Sequence, residues 1–447
     1  MNEPKSFAVY TLGCKVNQEE GAELAALFRQ AGYPEGDFAG PCDIYIINTC
    51  TVTHMADRKS RQVMRRAKKN NPEALLIITG CYAQTSAAEI AAIEGVDLVA
   101  GVAERAFLPQ LAAQKLREKN GGGPRIEVSD IKTSAVFQTI SDFPGQQPRV
   151  RAYLKVEDGC DQSCAYCIVP RARGPVRSLP PRQALSRAAA LLEAGHREIV
   201  LSGIHVGAYG QDLPEGDLPG LIRGLLALPG LLRLRLSSLE PQQVNEELLC
   251  LMRAEEKICR HLHIPLQSGC DRTLAAMNRS TDSARYAGII EELRRDFPDI
   301  AVTTDMIVGF PGESEEDFAA SRAFAEEMAF AGIHVFPFSV RKGTAAAALP
   351  GRVPTPLIRQ RAALLSQSAQ KLTAAYAARF IGRPLRVLAE QTVERSGQKL
   401  CFGHSDNYLG VVFAQENAAR GEVYEVVGKK WQNGEIFACV VGGIKVE

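Results

Sequence analysis

Apolar residues in the first 120 positions fall into four short runs, each followed by a segment with helical spacing. The runs are FAVYTLG, IYIINTC, LLIITGC and DLVAG, and the helical segments lie over 19–31, 56–69, 86–93 and 104–119. Unbroken apolar runs of this length, alternating with amphipathic segments, predict a parallel sheet with helices on its faces. Gly121-Gly122-Gly123-Pro124 and a polar stretch over 141–148 interrupt the pattern. It restarts from 153 to 338 with six candidate strands: YLKVEDG, EIVLSG, LRLRLSS, HLHIPL, AVTTDMIVGF and GIHVFPF. Six β/α units predict an open (β/α)6 partial barrel rather than a closed eightfold one, although a wound open sheet has the same count. A long Ala/Gln-rich helix over 355–380 follows. Beyond Gly382-Arg383-Pro384, the runs LRVLAEQ, YLGVVFA, VYEVVGKK and FACVVGGIKV predict a small antiparallel β-barrel. The expected fold class is therefore α/β. An N-terminal parallel α/β sheet domain occupies 1–120, a linker 121–150, the partial barrel 151–380 and the small barrel 381–447.

Composition narrows the function classes. A hydrophobic share of 46% over 447 residues supports several cores, and 52 Lys+Arg against 51 Asp+Glu exclude a uniformly basic nucleic-acid binder while leaving local patches open. The N-terminus MNEPKSFAVY lacks a signal-peptide pattern, and no apolar run reaches about 18 residues, so a cytoplasmic protein with no membrane partner is expected. Twelve cysteines in a reducing compartment point to metal or redox chemistry ahead of disulfides.

The sharpest local signal is Cys160-Asp-Gln-Ser-Cys164-Ala-Tyr-Cys167, immediately after the first strand of the second domain. Three thiolates so closely spaced can grip one corner of an iron-sulfur cluster. Structural zinc is the competing reading, but it calls for a fourth nearby Cys or His, often in a second C-x2-C pair. Cys14, Cys50 and Cys81 each follow one of the first three strands, so all three fall at the carboxyl edge of the first sheet, where open α/β folds bind ligands. Chance burial of cysteine would account for them equally well. Cys42, at the start of its strand, lies on the order of 25 Å from Cys50 and is not expected to be a ligand. Cys250, Cys259, Cys270, Cys401 and Cys439 lack ligand spacing and read as small core or surface residues; Cys270, just after HIPLQSG, falls near a strand end, where facing the cavity is the alternative.

The C-x3-C-x2-C spacing and its position resemble the radical S-adenosylmethionine (SAM) superfamily. The resemblance implies a 4Fe-4S cluster held by Cys160, Cys164 and Cys167, with one iron left to bind SAM. It also implies SAM contacts from Ser202-Gly203 and from Val308-Gly309, with Ser237, Glu240 and Gln267 as further polar candidates at strand ends. The segments TLGCKVNQ around Cys14, NTCTV around Cys50 and GCYAQ around Cys81 resemble the three cysteine motifs of the methylthiotransferase family. There they hold a second, auxiliary 4Fe-4S cluster, and the C-terminal barrel is of the TRAM type. GCKVNQ most resembles the branch acting on C2 of N6-threonylcarbamoyladenosine at position 37 of tRNA. The branches acting on isopentenyladenosine or on a ribosomal protein are the alternatives, with a non-catalytic iron-sulfur RNA-binding protein as a different class. Expected partners are the tRNA anticodon stem-loop, an electron donor such as a flavodoxin or ferredoxin, and a sulfur source. Abstracting an unactivated aromatic hydrogen is beyond acid-base groups, which is why such chemistry needs a radical cofactor.

Seven cations and no acid lie between Arg58 and Lys69, with 58, 61, 65, 68 and 69 on one helical stripe. A solvated face is the bland reading; the density favours an anion. Arg61 and Arg65 from this stripe are candidate RNA contacts, as are Arg171, Arg173 and Arg177 beside the cysteine loop. The C-terminal segment from Phe380 balances eight bases against eight acids, so bulk charge does not recruit RNA to it; Phe402, Tyr408 and Trp431 are candidates for stacking on bases, with a place in the barrel core as the equal alternative for each.

Overall fold

The structure is a computed structural model describing residues 4–118, 123–141, 147, 149–395, 397–415 and 418–444, with side chains up to 441. Gly121, Gly122 and most of the polar stretch over 141–148, expected to punctuate the domains, lie outside the described residues.

Five parallel strands build the first sheet in the order β1 (Phe7–Thr11), β2 (Ile44–Thr49), β3 (Leu75–Gly80), β4 (Leu98–Ala100) and β5 (Arg125–Glu127). β5 lies inside the stretch read as linker, so the sheet reaches past residue 120. A bridge from Phe7 to Glu35 places the segment after helix α1 (Lys15–Gln30) on the outer side of β1, with β2 on the other side. The chain therefore reverses its winding at β1. Leu24 and Phe28 of α1 pack on one face, and Met64 and Ala67 of α2 (His54–Asn70) on the other. A reversal of this kind opens a crevice beyond the carboxyl ends of the strands flanking it.

The central domain carries β6 (Arg151–Lys155), then a short antiparallel pair, β7 (Glu157–Asp158) and β8 (Arg177–Ser178), that frames the three-cysteine loop. β9 (Glu198–Ser202), β10 (Arg233–Leu236), β11 (His261–His263), β12 (Ala301–Val308) and β13 (Gly332–Pro337) complete the set. β6, β9 and β10 pair in parallel, as do β11, β12 and β13, and bridges Leu234 to Ile258 and Ser238 to His263 join the two groups. The result is the open six-stranded half-barrel expected from the strand count. Its helices cover the outside through one large apolar core.

The helix Thr355–Ala378 leads to five strands: β14 (Pro384–Arg395), β15 (Gln398–Ser405), β16 (Gly410–Phe413), β17 (Val423–Gln432) and β18 (Glu435–Ile444). They close as β14-β15-β16-β18-β17. Purely antiparallel pairing was expected, but β16 and β18 run parallel, because β17 crosses over to close against β14 and its hairpin partner returns beside β16. Tyr376, Ala377 and Phe380 at the end of the long helix belong to the core of this barrel, anchoring it to the half-barrel.

Candidate functional site

Cys14, Cys50 and Cys81 sit at the ends of β1, β2 and β3, around the crevice at β1. Cys14 precedes α1, and Cys81 opens the short helix α3 (Cys81–Thr85). Two glycines let these loops close on one another. A Cβ on Gly13, whose φ is +112°, would lie 2.8 Å from Cys50 Cβ and 3.2 Å from its Sγ. One on Gly80, at φ +93°, would lie 2.5 Å from Asn48 Oδ1 and from the Thr49 carbonyl. The Asn17 side chain pins the arrangement by donating to the carbonyls of Leu12 (2.7 Å) and Thr49 (3.0 Å), and the Thr49 hydroxyl donates to the Thr79 carbonyl (2.6 Å).

The thiols feel one another. Burial, with added repulsion from Cys81 and Cys14, pushes the Cys50 thiol up to about 12. Burial also raises Cys14. Three soft sulfur donors at adjacent strand ends form a set that bound iron would complete by supplying positive charge.

The second set rests on the loop after β7. Gly159, at φ +93°, is required there: a Cβ would fall 1.8 Å from the Pro175 carbonyl. The Cys160 amide donates to the Gly174 carbonyl (3.0 Å), the Ala165 amide to that of Met277 (2.9 Å), and Asn278 Nδ2 to Ser163 Oγ (2.7 Å). Arg279 Nη1 reaches Cys164 Sγ at 3.6 Å, and His205 Nδ1 lies 3.9 Å from Cys160 Sγ. All three thiols remain partly accessible, and burial pushes Cys160 and Cys167 up to about 12. A sulfur donor set with the Arg279 guanidinium beside it and an open side fits a cluster that must still bind a ligand.

One cavity of about 160 Å³ touches both halves. Val52 and Thr53, just past Cys50, line it from the first domain; Tyr166, Cys167, Gln267, Asp305, Ile307 and Phe336 line it from the half-barrel. The domains are clamped around it by Arg341, which pairs with Asp57 (2.8 Å), and by the His54 amide, which donates to Ser339 Oγ (3.0 Å).

Among the expected SAM contacts, Gln267 faces this cavity at φ +74°. The Glu240 carboxylate pairs with Arg279 (3.1 Å), and Ser237 Oγ is buried without a hydrogen-bond partner among the described residues. The Ser202 hydroxyl donates to Glu19 (3.1 Å), and Gly203 sits against the buried Glu157 carboxylate. Val308 points into the apolar core and so offers backbone alone to the cavity side; the Gly309 amide donates to Glu313 (3.1 Å). Cys270 turns toward Asp317 Oδ1 (3.2 Å), and Cys42 is buried near the Asp37 carbonyl (3.5 Å).

Three residues expected at RNA are placed elsewhere. Arg173 is fully buried and turned into the first domain, where it donates to Cys81 Sγ (3.2 Å), Asn17 Oδ1 and Glu20 (2.9 Å). Arg177 is buried beside Asp158 (3.6 Å). In each case a buried carboxylate holds the guanidinium inside. Tyr408, at φ +67°, stacks on His261 (4.5 Å between centroids) and on His404 (5.2 Å), with the Arg235 guanidinium 5.0 Å from its ring centroid. Arg61 donates to Tyr82 Oη (2.8 Å) and lies 3.6 Å from Glu89, whereas Arg65 and Arg171 are exposed.

Sequence reasoning missed the carboxylates of α1. Glu19, Glu20 and Glu23 are buried against the half-barrel, where Glu20 pairs with Lys155 (2.7 Å), Arg105 and Arg173. Glu19 accepts from the Lys155 amide (2.7 Å), and Glu23 pairs with Arg187. The available signal was that Glu is almost never fully buried unless paired, so three of them in an otherwise apolar helix called for a cationic partner surface.

Known proteins agree with this architecture. Residues 6–101 match the Uncharacterized protein family UPF0004, and residues 154–325 match the Radical SAM superfamily. The half-barrel and its three-cysteine loop thus define a radical SAM protein. Its fold is shared with the radical SAM methyltransferase TsrM of Kitasatospora setae, at a TM-score of 0.55 and 14% identity over 75% of each chain. Over 97% of both chains, the sequence is 40% identical to the threonylcarbamoyladenosine tRNA methylthiotransferase MtaB of Bacillus subtilis (strain 168), and 33% identical to that of Thermotoga maritima. It is 35% identical, over 95% of each chain, to the tRNA-2-methylthio-N(6)-dimethylallyladenosine synthase of Sphingopyxis alaskensis. The chain belongs to the tRNA methylthiotransferase family of radical SAM enzymes.

Proposed function

We propose that this enzyme adds a methylthio group to C2 of N6-threonylcarbamoyladenosine at position 37 of tRNA. It would use SAM and two 4Fe-4S clusters, one held by Cys160, Cys164 and Cys167 and the other by Cys14, Cys50 and Cys81. The observation that carries this reading is the shared cavity, lined by Cys167 on one side and by the residues following Cys50 on the other. When bound, the first cluster with SAM supplies a carbon-centred radical, and the auxiliary cluster supplies an iron site for sulfur.

The chain's own residues hold and orient these groups. Arg279 and Glu240 fix the position of the Cys160 to Cys167 loop beside the strand ends, and Arg173 ties that same loop region to Cys81. The clamp formed by Arg341 and Asp57 keeps the two domains closed over the cavity, which limits competing reactions of a radical with water or protein. The exposed cations Arg58, Lys59, Arg65, Arg66 and Lys69 of α2, with Arg171 across the junction, support an RNA backbone track beside the cavity mouth. In this reading 381–447 is a TRAM-like RNA-binding domain, and the enzyme works in the cytoplasm with a flavodoxin or ferredoxin as electron donor and a separate sulfur source. No helix among the described residues is long and apolar enough to cross a membrane.

The test is nucleoside mass spectrometry of tRNA from a deletion strain, complemented with wild type, Cys14→Ala or Cys160→Ala. Wild type restores the methylthio group on threonylcarbamoyladenosine. In purified protein, Cys14→Ala retains SAM cleavage without sulfur insertion, and Cys160→Ala loses both; equal loss of cleavage in the two would overturn the division of labour.

A further inference from the structure

Several charged groups of the half-barrel are matched by opposite charge: Arg235 pairs with Glu198 (2.7 Å), and Arg151 with Glu390 (3.0 Å) of the final domain. One cluster is of another kind. Along β12, the partly accessible Thr303, Asp305 and Ile307 alternate with buried residues, so they share one face of the strand. The register sets His263 of β11 opposite Thr303, and His334 of β13 opposite Asp305. Imidazoles from the two flanking strands thus converge on the carboxylate between them. Asp305 also lines the cavity shared by the two domains, with Cys167 and Gln267.

His263 Nε2 lies 3.3 Å and His334 Nδ1 3.0 Å from the same oxygen, Asp305 Oδ1, and one ligand atom from each residue falls within 4.8 Å of the others. The first separation is long for a hydrogen bond to an ionised carboxylate, about 2.7–2.9 Å. Two donors bound about 2.0–2.2 Å from one ion, at right or tetrahedral angles, stand roughly 2.9–3.5 Å apart, and both separations fall in that range. The outer contact also has the form found around metal-ligating histidines: Thr303 Oγ1 lies 3.0 Å from His263 Nδ1 and 3.0 Å from His261 Nε2. When His263 Nδ1–H donates to this hydroxyl and the hydroxyl donates to His261 Nε2, the lone pair of His263 Nε2 is left facing Asp305. A lone pair against a carboxylate oxygen is repulsive until a cation stands between them.

We propose that His263, Asp305 and His334 bind one divalent cation, distinct from the two iron-sulfur clusters, at the edge of the cavity. Two imidazoles and one carboxylate suit Mn2+, Fe2+ or Zn2+, and three protein ligands leave coordination positions open to an oxygen donor. The site holds whichever nucleoside the enzyme modifies. Mn2+ is the probe, because thiolates are poor ligands for it and the electron paramagnetic resonance signal of the free ion falls as it binds. It is titrated into the reconstituted enzyme with both clusters oxidised. Wild type is expected to take up one Mn2+ per chain and to release it to Zn2+, which stands higher in the affinity series. Removing an outer contact of a metal site costs about 10- to 100-fold in affinity, the effect expected of Thr303→Val; His334→Ala, which removes a ligand, should cost at least about 100-fold. The His334 side chain is 67% exposed, so fold and iron content, recorded by circular dichroism and iron assay on the same samples, should match wild type in His334→Ala. Asp305→Asn keeps a hydrogen-bonding oxygen without the charge and should also lose uptake. A free-ion signal undiminished by wild type at millimolar Mn2+ overturns the site, as does uptake that is equal in wild type and His334→Ala or retained in Asp305→Asn.

Discussion

Replacing Arg173 with Met removes a charge at nearly constant volume, at the point where the two domains and the Cys81 thiol meet. Arg173 is fully buried, and its loss leaves Glu20 with Arg105 and Lys155, and Asp158 with Lys155 and Arg177. Removing one partner of a buried ion pair costs about 3–5 kcal/mol, and the remaining cations argue for the low end, roughly 3 kcal/mol. Each lost hydrogen bond, to Asn17 and to Cys81, adds about 1 kcal/mol. Urea unfolding of reconstituted protein, followed by circular dichroism, measures the loss. Glu20→Gln alone and combined with Arg173→Met closes a double-mutant cycle, with an expected coupling of about 1–3 kcal/mol. The same variant should lose the auxiliary cluster selectively, from about eight irons per chain to about four, while still forming 5'-deoxyadenosine from SAM. Full iron content with an unchanged unfolding midpoint would refute the claim that this arginine couples domain docking to the thiol site.

Gly80→Ala forces a side chain into a φ of +93° and against Asn48 and Thr49, so it should cost about 1–3 kcal/mol and lower iron content in a reconstitution assay. Glu198 gives a pH signature: burial raises its carboxyl, but Arg235 and Arg233 outweigh that and hold it at about 2. A carboxyl lowered on folding contributes stability above its unfolded value of 4.5 that is lost as pH falls toward 2, here roughly 3 kcal/mol; urea titrations over that window should show the loss in wild type and a flatter profile in Glu198→Gln. Replacing Arg65, Arg66 and Lys69 together by Ser should weaken tRNA binding and flatten the logarithmic salt dependence by about 2–3 units if all three meet phosphates, measured by filter binding at several salt concentrations.

Much of the fold was legible because its signals are local. Strands buried on both faces read as apolar runs, and the pairs Gly13-Cys14, Gly80-Cys81 and Gly159-Cys160 mark tight turns at their ends. The docking contacts were illegible for an equally physical reason. Glu20 and Arg173 are 153 residues apart, so nothing near either one announces the other. Arg173 and Arg177 sit beside a cysteine loop and carry the charge a phosphate would want, yet Asp158 and Glu20 reach them first. Tyr408 read equally as a stacking platform or a core residue; one of its partner rings, His261, belongs to another domain. Residues that serve one element alone could be read from the sequence, whereas those committed across a domain boundary required the coordinates.

The loop carrying Tyr408 has a consequence for exchanging parts among relatives. Arg233 donates to the His404 carbonyl (3.0 Å) and Arg235 to those of Ser405 (3.1 Å) and Asp406 (2.9 Å), so the half-barrel grips the backbone of the final domain from below. A chimera that grafts a foreign 381–447 onto this core inherits the guanidinium groups without the carbonyls spaced to receive them. The transplantable unit is the C-terminal barrel together with Arg151, Arg233, Arg235 and His261, and a boundary drawn at the end of the long helix cuts through the joint.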